Sequence, residues 1–241
     1  MITRLWGRLG ILGFLSVHAV YAGSIQVADV RAYIHANGAL VTQLNVASTG
    51  FFSTLDPNNL GTLGWSFTNT TGSALLNVSF FGFLDADIDR NLNTFFNEYG
   101  VLVDLSLPAS APGGAIGATS WQIDEPGFVF GTILNDLAAG SLQNANFVSS
   151  ATPDDVSLAL GFVIGNLAPG QTANLTLRLS LTSIGGLQQF DPDSNSGFFL
   201  NGYSTIGALE QPPPPSDVPE PSTWALYAAG VGALLICRKR N

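Results

Sequence analysis

The chain has 241 residues, 46% of them hydrophobic, which is enough apolar material for one large domain or two small ones. From Gly23 to Pro219 there are 16 acidic residues, 3 arginines and no lysine, a net charge of −13 that excludes nucleic acid as a partner and a lysine Schiff base as chemistry. The single cysteine, Cys237, lies near the C-terminus, so the body has no disulfide, thiolate nucleophile or cysteine metal ligand.

The first 22 residues have the pattern of a secretory signal peptide. Arg4 and Arg8 give a positive start, an apolar run follows, and Val20-Tyr21-Ala22 ends in the small residue that signal peptidase requires. We therefore predict cleavage after Ala22 and export of the rest of the chain. Because no cysteine follows the cleavage point, a lipoprotein signal is excluded.

The body, residues 23–210, alternates apolar and polar residues with a period of two, as strands with one buried face do. Many strands without alternating helices predict an all-β fold, an antiparallel β-sandwich in one domain. One short helix is predicted from Thr132 to Ala139, with Gly140 as its cap. The predicted strands are Ile25–Val30, Leu40–Val46, Leu63–Asn69, Leu76–Leu84, Val101–Leu107, Thr119–Asp124, Val156–Ile164, Thr172–Thr182 and Phe198–Ile206.

Two stretches of the body are similar to known folds. Trp65 to Val78 resembles the strand–turn–strand of immunoglobulin-like bacterial surface domains, and Asn166 to Thr172 resembles the turn before one of their late strands. The resemblance covers under a third of the domain and implies a fold rather than a function. We expect an immunoglobulin-like or jelly-roll-like sandwich.

Four oxygen-bearing residues at alternate positions follow the fourth predicted strand. Oxygen ligands at every second position suit Ca²⁺, although an EF-hand is excluded because Arg90 and Phe96 stand where its turn glycine and its bidentate glutamate belong. We predict a Ca²⁺ site here, with a solvated acidic loop as the alternative, and no other cofactor. The predicted ligands are Asp85, Asp87, Asp89 and Asn91.

A second acidic series, Asp191 to Asn195, is interpreted as an ordinary turn, although it would share an ion with the first series if the two lay close together. His35 is the one histidine left after signal removal. It is a poor candidate for a Ser-His-Asp triad because no nucleophile motif accompanies it, and a histidine zinc site needs more than one such ligand.

Paired carboxylates and aromatic residues are the remaining candidates for chemistry. Asp124-Glu125 and Asp154-Asp155 would serve a glycosidase only if they faced each other across a cleft, and they are interpreted as turn residues. The aromatic residues are interpreted mainly as sandwich core, with some left exposed for stacking on sugars. They include Trp65, Trp121, Phe80, Phe81, Phe83, Phe95, Phe96, Phe198 and Phe199.

The C-terminus begins with a proline-rich linker, residues 211–217, which is typical of a stiff polyproline II spacer. Val218, Pro219, Glu220 and Pro221 then impose an extended backbone. Thr223 to Cys237 is uncharged and spans roughly 22 Å as a helix, which is short for a permanent membrane anchor. The basic residues at 238–240 would hold the end in the cytoplasm, which places the body on the far side of the membrane.

Residues 218–241, with this motif, short apolar helix and basic end, closely resemble the PEP-CTERM sorting signal. The resemblance implies processing by an exosortase, which is a membrane protease, in a Gram-negative bacterium that makes an exopolysaccharide or biofilm matrix. We therefore expect export through the inner membrane and transient anchoring there. The mature protein would then lie at the cell surface or in the extracellular matrix.

The missing lysine, cysteine and histidine chemistry favours interaction over catalysis, so we assign no catalytic residue and predict that the protein is not an enzyme. Its predicted role is structural or adhesive, in association with exopolysaccharide. The alternatives are a secreted carbohydrate-binding module and a glycan hydrolase.

Overall fold

The computed structural model describes residues 23–208, so the predicted signal peptide, linker and sorting signal lie outside the described residues. The described part forms twelve strands, one α-helix, α1 (Ile133–Ala139), and one 3₁₀ turn (Phe95–Asn97). The strands are β1 (Ile25–Ala36), β2 (Ala39–Leu44), β3 (Phe51–Ser53), β4 (Gly61–Thr68), β5 (Leu75–Ile88), β6 (Tyr99–Asp104), β7 (Ser120–Asp124), β8 (Ala145–Asn146), β9 (Ser157–Leu167), β10 (Thr172–Ser180), β11 (Gly186–Asp191) and β12 (Ser196–Ile206).

The strands form two six-stranded sheets that pack face to face as a β-sandwich. The first sheet has the order β2-β1-β5-β9-β7-β8 and the second has the order β3-β4-β10-β12-β11-β6. All pairs are antiparallel except β7 with β8. The predicted all-β sandwich is therefore confirmed. In the described range, no helix has both the length and the apolar character that a membrane crossing needs.

The core lies between the sheets and follows from alternation along each strand. On β10, Leu175, Leu177 and Leu179 are buried in the core, as their spacing predicts. On β5 the even-numbered side chains Phe80, Leu84, Ala86 and Ile88 enter the same core. The odd-numbered residues of β5 therefore face outward, on what we call the outer face of the first sheet.

The predicted helix is confirmed at Ile133–Ala139, and Gly140 caps it with a left-handed φ of 74°. The predicted strands are all present with shifted ends, and β3, β8 and β11 were not predicted. β3 and β8 are only three and two residues long. β11 carries Gln189 and Asp191 on its inward face, where a hydrophobic pattern needs apolar residues.

The end of β5 corrects one expectation. The strand was predicted to stop at Leu84 before an acidic loop, but it continues to Ile88. Asp85 and Asp87 are therefore strand residues on the outer face, because they alternate with the core residues Ala86 and Ile88. The loop begins only at Asp89, where φ is 53°.

Candidate functional site

The outer face of the first sheet has an apolar half covered by α1. Ile133 and Leu137 of the helix pack on Tyr33, Phe81 and Phe83. His35, at the end of β1, donates from Nε2 to the Leu137 carbonyl at 2.8 Å. Its ring also meets Phe81 edge-on at 5.5 Å between centroids.

This histidine is 7% exposed and is bonded to the end of the helix. In this position His35 has a structural role, because it ties α1 to β1.

The other half of the outer face is acidic. In the strand register Asp29 of β1 stands directly opposite Asp85 of β5, which stands opposite Ser157 of β9. Ser157 in turn stands opposite Asp124 of β7. Like charges directly opposite each other destabilise a sheet, so this row carries an electrostatic cost.

Two arginines neutralise the flanks of the acidic half and also contact aromatic rings. Arg31 forms a 2.5 Å ion pair with Asp29, and Arg90 forms a 3.1 Å ion pair with Asp87. The Arg31 guanidinium lies 5.7 Å from the centre of the Phe128 ring. The Arg90 guanidinium lies 5.6 Å from the centre of the Phe95 ring. Each arginine therefore links the acidic half to one phenylalanine.

The centre of the acidic half keeps carboxyl groups with raised pKa values. Burial, together with the nearby carboxylates of Asp155, Asp87 and Asp29, raises the pKa of Asp85 to about 7. Burial and the neighbouring Asp87 raise the pKa of Asp155 to about 6. Both groups therefore exchange protons near neutral pH, and no hydrogen bond to the Asp85 carboxyl is present among the described residues.

Beside these acids lies a cavity of about 290 Å³, which we call the aromatic pocket. An adjoining cavity shares Phe96, Glu125 and Phe130 with it and adds Asp154. Phe96 is 59% exposed and Phe130 is 68% exposed, so the rings are open to a ligand. The lining residues of the aromatic pocket are Phe95, Phe96, Glu125, Pro126, Gly127, Phe128, Val129, Phe130 and Asp155.

One wall of the pocket, the loop Glu125–Gly131, is closed by Asp124. Its carboxylate accepts from the Glu125 N–H at 2.9 Å and from the Thr132 N–H at 2.8 Å. Gly131 has a φ of 80°, and a Cβ there would lie 2.5 Å from the Glu125 carbonyl oxygen. Asp124 and Gly131 therefore fix the loop that presents Phe128 and Phe130.

The opposite wall is the 3₁₀ turn that carries Phe95 and Phe96. The Thr94 hydroxyl caps this turn by accepting from the Phe96 N–H at 3.2 Å. The backbone of Glu98 then accepts from the Asp154 N–H at 2.9 Å. That bond places the phenylalanine wall beside the Asp154-Asp155 pair.

The structure thus brings together the two carboxylate pairs that the sequence left apart. Glu125 and Asp155 line the aromatic pocket, and Asp154 lines the adjoining cavity. Among the predicted aromatic residues, Phe95 and Phe96 line the pocket, whereas Trp65, Phe80 and Phe198 are fully buried core. Phe128 and Phe130 were missed, although three apolar residues between turn glycines are an unusual loop sequence.

The four predicted calcium ligands lie in different environments. Asp85 and Asp87 lie on the outer face, Asp89 accepts from the Ser24 N–H at 2.7 Å, and Asn91 lies exposed in the turn after the strand. No cluster of three or more His, Cys, Asp or Glu side chains suited to a metal ion occurs within residues 23–208. Calcium at these four residues stays a prediction.

The second acidic series does lie beside the first. The Asp191 carboxylate, fully buried, accepts from Asn93 Nδ2 and, at 3.5 Å, from Asn97 Nδ2. It also accepts from the Asp193 N–H at 2.8 Å and from the Ser194 hydroxyl at 2.9 Å. The segments after β5 and after β11 are therefore joined through one carboxylate.

Comparisons of the chain with models of protein families, with curated proteins and with solved structures give no match.

Proposed function

We propose that the protein is exported, sorted by an exosortase, and acts by binding extracellular polysaccharide rather than by catalysis. Support for export comes from the signal-peptide pattern that ends at Ala22 and from the motif Val218-Pro219-Glu220-Pro221 ahead of a short apolar segment. The chain would cross the inner membrane of a Gram-negative bacterium and stay there until the C-terminal segment is removed. The sandwich would then be of the immunoglobulin-like or jelly-roll-like kind, standing outside the cell.

The sorting step is tested by replacing Pro219, Glu220 and Pro221 together with alanine. The altered chain should stay in the membrane fraction with its C-terminal segment, while the unaltered chain is found shortened outside. Replacing Pro212 and Pro213 of the linker with alanine is the matched control and should leave processing unchanged. Equal processing of all three chains would contradict an exosortase route.

The observation that carries the binding proposal is the aromatic pocket. Exposed apolar patches mark interaction sites, and four phenylalanine rings meet carboxylates in this one. The C–H face of a sugar ring packs on the negative face of a phenyl ring, and sugar hydroxyls donate to Glu125 and Asp155. The adjoining cavity lengthens the site, as a polymer requires.

Binding is tested by co-sedimentation of the purified protein with the host's exopolysaccharide. We expect the protein to pellet with the polymer and the polymer to keep its length. Phe128→Ala should reduce the bound fraction, whereas Phe147→Ala, another exposed phenylalanine that lies outside both cavities, should not. Equal binding by the two variants would reject the aromatic pocket as the site. A panel of soluble glycans separates a module for one defined sugar from a general matrix role.

A glycan hydrolase is the second candidate, and one specific observation favours it. Glu125 and Asp155 line the same pocket, and glycosidases use two carboxyl groups, one of them with a raised pKa. Burial raises the pKa of Asp155 to about 6, which suits a general acid. Release of reducing ends from the polymer, abolished by Glu125→Gln and by Asp155→Asn, would establish hydrolysis. Binding without such release would leave the protein a non-enzyme.

A further inference from the structure

We propose that the protein binds a calcium ion between the segment Asp89–Glu98 and the segment Asp191–Asn195. The ligands would be the Asp191 carboxylate and the amide oxygens of Asn93 and Asn97. This site differs from the predicted set at Asp85, Asp87, Asp89 and Asn91, and it joins two segments that lie almost a hundred residues apart in the chain.

The first support is a surplus of buried acceptors. Apart from Asp29 Oδ2, which pairs with Arg31, four buried side-chain oxygens in residues 23–208 have no hydrogen-bond partner. Three of them, Asn93 Oδ1, Asn97 Oδ1 and Gln189 Oε1, belong to residues around this junction. Buried acceptors that find no donor in the protein call for a water or a cation.

Of the three, Gln189 is the strongest evidence for a missing partner, because its side chain is fully buried. Its Nε2 donates to the Glu98 carboxyl and, at 2.5 Å, to the Ala86 carbonyl. Glu98 directly follows Asn97, and Gln189 lies two residues before Asp191 on the same face of β11. Gln189 is therefore linked through Glu98 to the segment that carries Asn97.

The second support is the position of the two asparagine side chains. Both donate from Nδ2 to the same buried carboxylate of Asp191. The two ends of an asparagine amide exchange by a half-turn about one bond, which would bring both amide oxygens to face Asp191. That arrangement is repulsive when empty and becomes favourable when a cation lies among the oxygens.

The oxygen ligands of this cluster favour calcium over other metal ions. Carboxylate, amide and hydroxyl oxygens are the ligands of hard cations, and the cluster holds no sulfur or imidazole. Calcium accepts irregular sets of six to eight oxygens, some of them from water, whereas magnesium requires a near-ideal octahedron. A site made largely of amide oxygens is also consistent with the absence, in this part of the chain, of a suitable His, Cys, Asp and Glu cluster.

One consequence rests on the proposed function. Asn93 and Asn97 flank Phe95 and Phe96, which form one wall of the aromatic pocket. An ion held by both asparagines would fix that wall, so polysaccharide binding should weaken in the presence of a chelator. Calcium binding itself is measured without any glycan, so failure of the proposed function would leave this inference open to its own test.

The test is calorimetric titration of the chelator-stripped, purified protein with CaCl₂, together with thermal unfolding. We expect one site with a Kd of about 10⁻⁴ M, in the range of extracellular calcium sites. At about 10 mM Ca²⁺ the Tm should rise by about 5 °C. No heat and no shift of Tm at that concentration, with the protein folded by circular dichroism, would overturn the inference.

Variants locate the site. Asn97→Ala should weaken calcium binding by about tenfold or more, whereas Asp85→Asn should change it by less than about twofold. Asn93→Asp is the informative conservative change. It places a second carboxylate beside Asp191, so Tm should fall in chelator and recover in calcium, with affinity at least equal to that of the original chain. Loss of binding in Asp85→Asn with retention in Asn97→Ala, or no recovery of Asn93→Asp, would refute the site.

Discussion

Strand β5 carries two opposite kinds of surface on one face. Phe81 and Phe83 lie under α1, whereas Asp85 and Asp87, the next residues on that face, lie among other carboxylates. The apolar half buries its side chains against a helix and stabilises the fold. The acidic half sets Asp29 against Asp85 at an electrostatic cost, and such costs are retained where a site needs them. The difference separates the part of this face that maintains the fold from the part that borders the proposed binding pocket.

The largest expected effect comes from the apolar half. Phe83→Ala should lower the free energy of unfolding by about 3–5 kcal/mol, because it removes a fully buried ring between the sheet and α1. Urea titration measures the change. Phe147→Ala, an exposed position, is the control and should cost less than about 0.5 kcal/mol. Similar losses in the two variants would contradict the division of the face.

In the acidic half, removing a charged side chain should raise the stability of the fold rather than lower it. The pKa of Asp85 rises from 3.8 to about 7 on folding, so its burial costs nothing when both states are protonated, below about pH 4. Stability is then lost progressively as the pH rises from about 4 to about 7. Asp85→Asn should therefore leave stability unchanged at pH 4 and raise it by roughly 1–3 kcal/mol at pH 8. Denaturation at both pH values measures this, and a loss of stability at pH 8 would show a favourable role for the charge.

A smaller loss of stability is expected when His35, in the apolar half, is replaced. His35→Ala should cost about 1–2 kcal/mol, because the Leu137 carbonyl loses one of its two donors and the edge-on contact with Phe81 is lost. His35→Gln, which keeps a donor, should recover part of the loss. Polysaccharide binding by both variants should equal that of the original chain. A loss of binding without loss of stability would instead place His35 in the function.

The smallest effect on stability is expected in the aromatic pocket. Phe130 is 68% exposed, so Phe130→Ala should change the free energy of unfolding by less than about 0.5 kcal/mol. The same change should reduce the fraction of protein that sediments with exopolysaccharide. Thermal unfolding and co-sedimentation on one preparation measure both quantities. If stability fell and binding did not, Phe130 would belong with the structural residues.

Much of the fold is predictable because the sandwich obeys a simple alternation. The leucines of β10 and the helix before Gly140 follow local rules of period and capping. The sequence also indicates that β5 extends to Ile88, since Asp85-Ala86-Asp87-Ile88 keeps a period of two. Alternating acids also match the pattern of calcium ligands in a loop, and that interpretation ends the predicted strand at Leu84. β11 was missed because it buries the polar residues Gln189 and Asp191, which bond to partners far away in the chain.

The candidate site was predictable only in its parts. The sequence marks Glu125 and Asp155 as members of acidic pairs, but their meeting depends on the pairing of β7 with β9, which sets Asp124 opposite Ser157. That register is a long-range property of the sheet and has no local signal. The junction between Asp191 and the asparagines depends likewise on contacts between segments far apart in the chain.

Because basic residues are scarce in the domain, cleavage by trypsin can report the opening of a single loop. Trypsin cleaves after arginine and lysine, and between Gly23 and Pro219 it has only Arg31, Arg90 and Arg178 to attack. Arg31 and Arg178 lie within β1 and β10, so cutting there requires global unfolding. Arg90 lies in the turn that enters the proposed ion site. The rate of the cut between Arg90 and Asn91 therefore follows the opening of that one loop, and calcium should slow it while leaving the other two sites protected throughout.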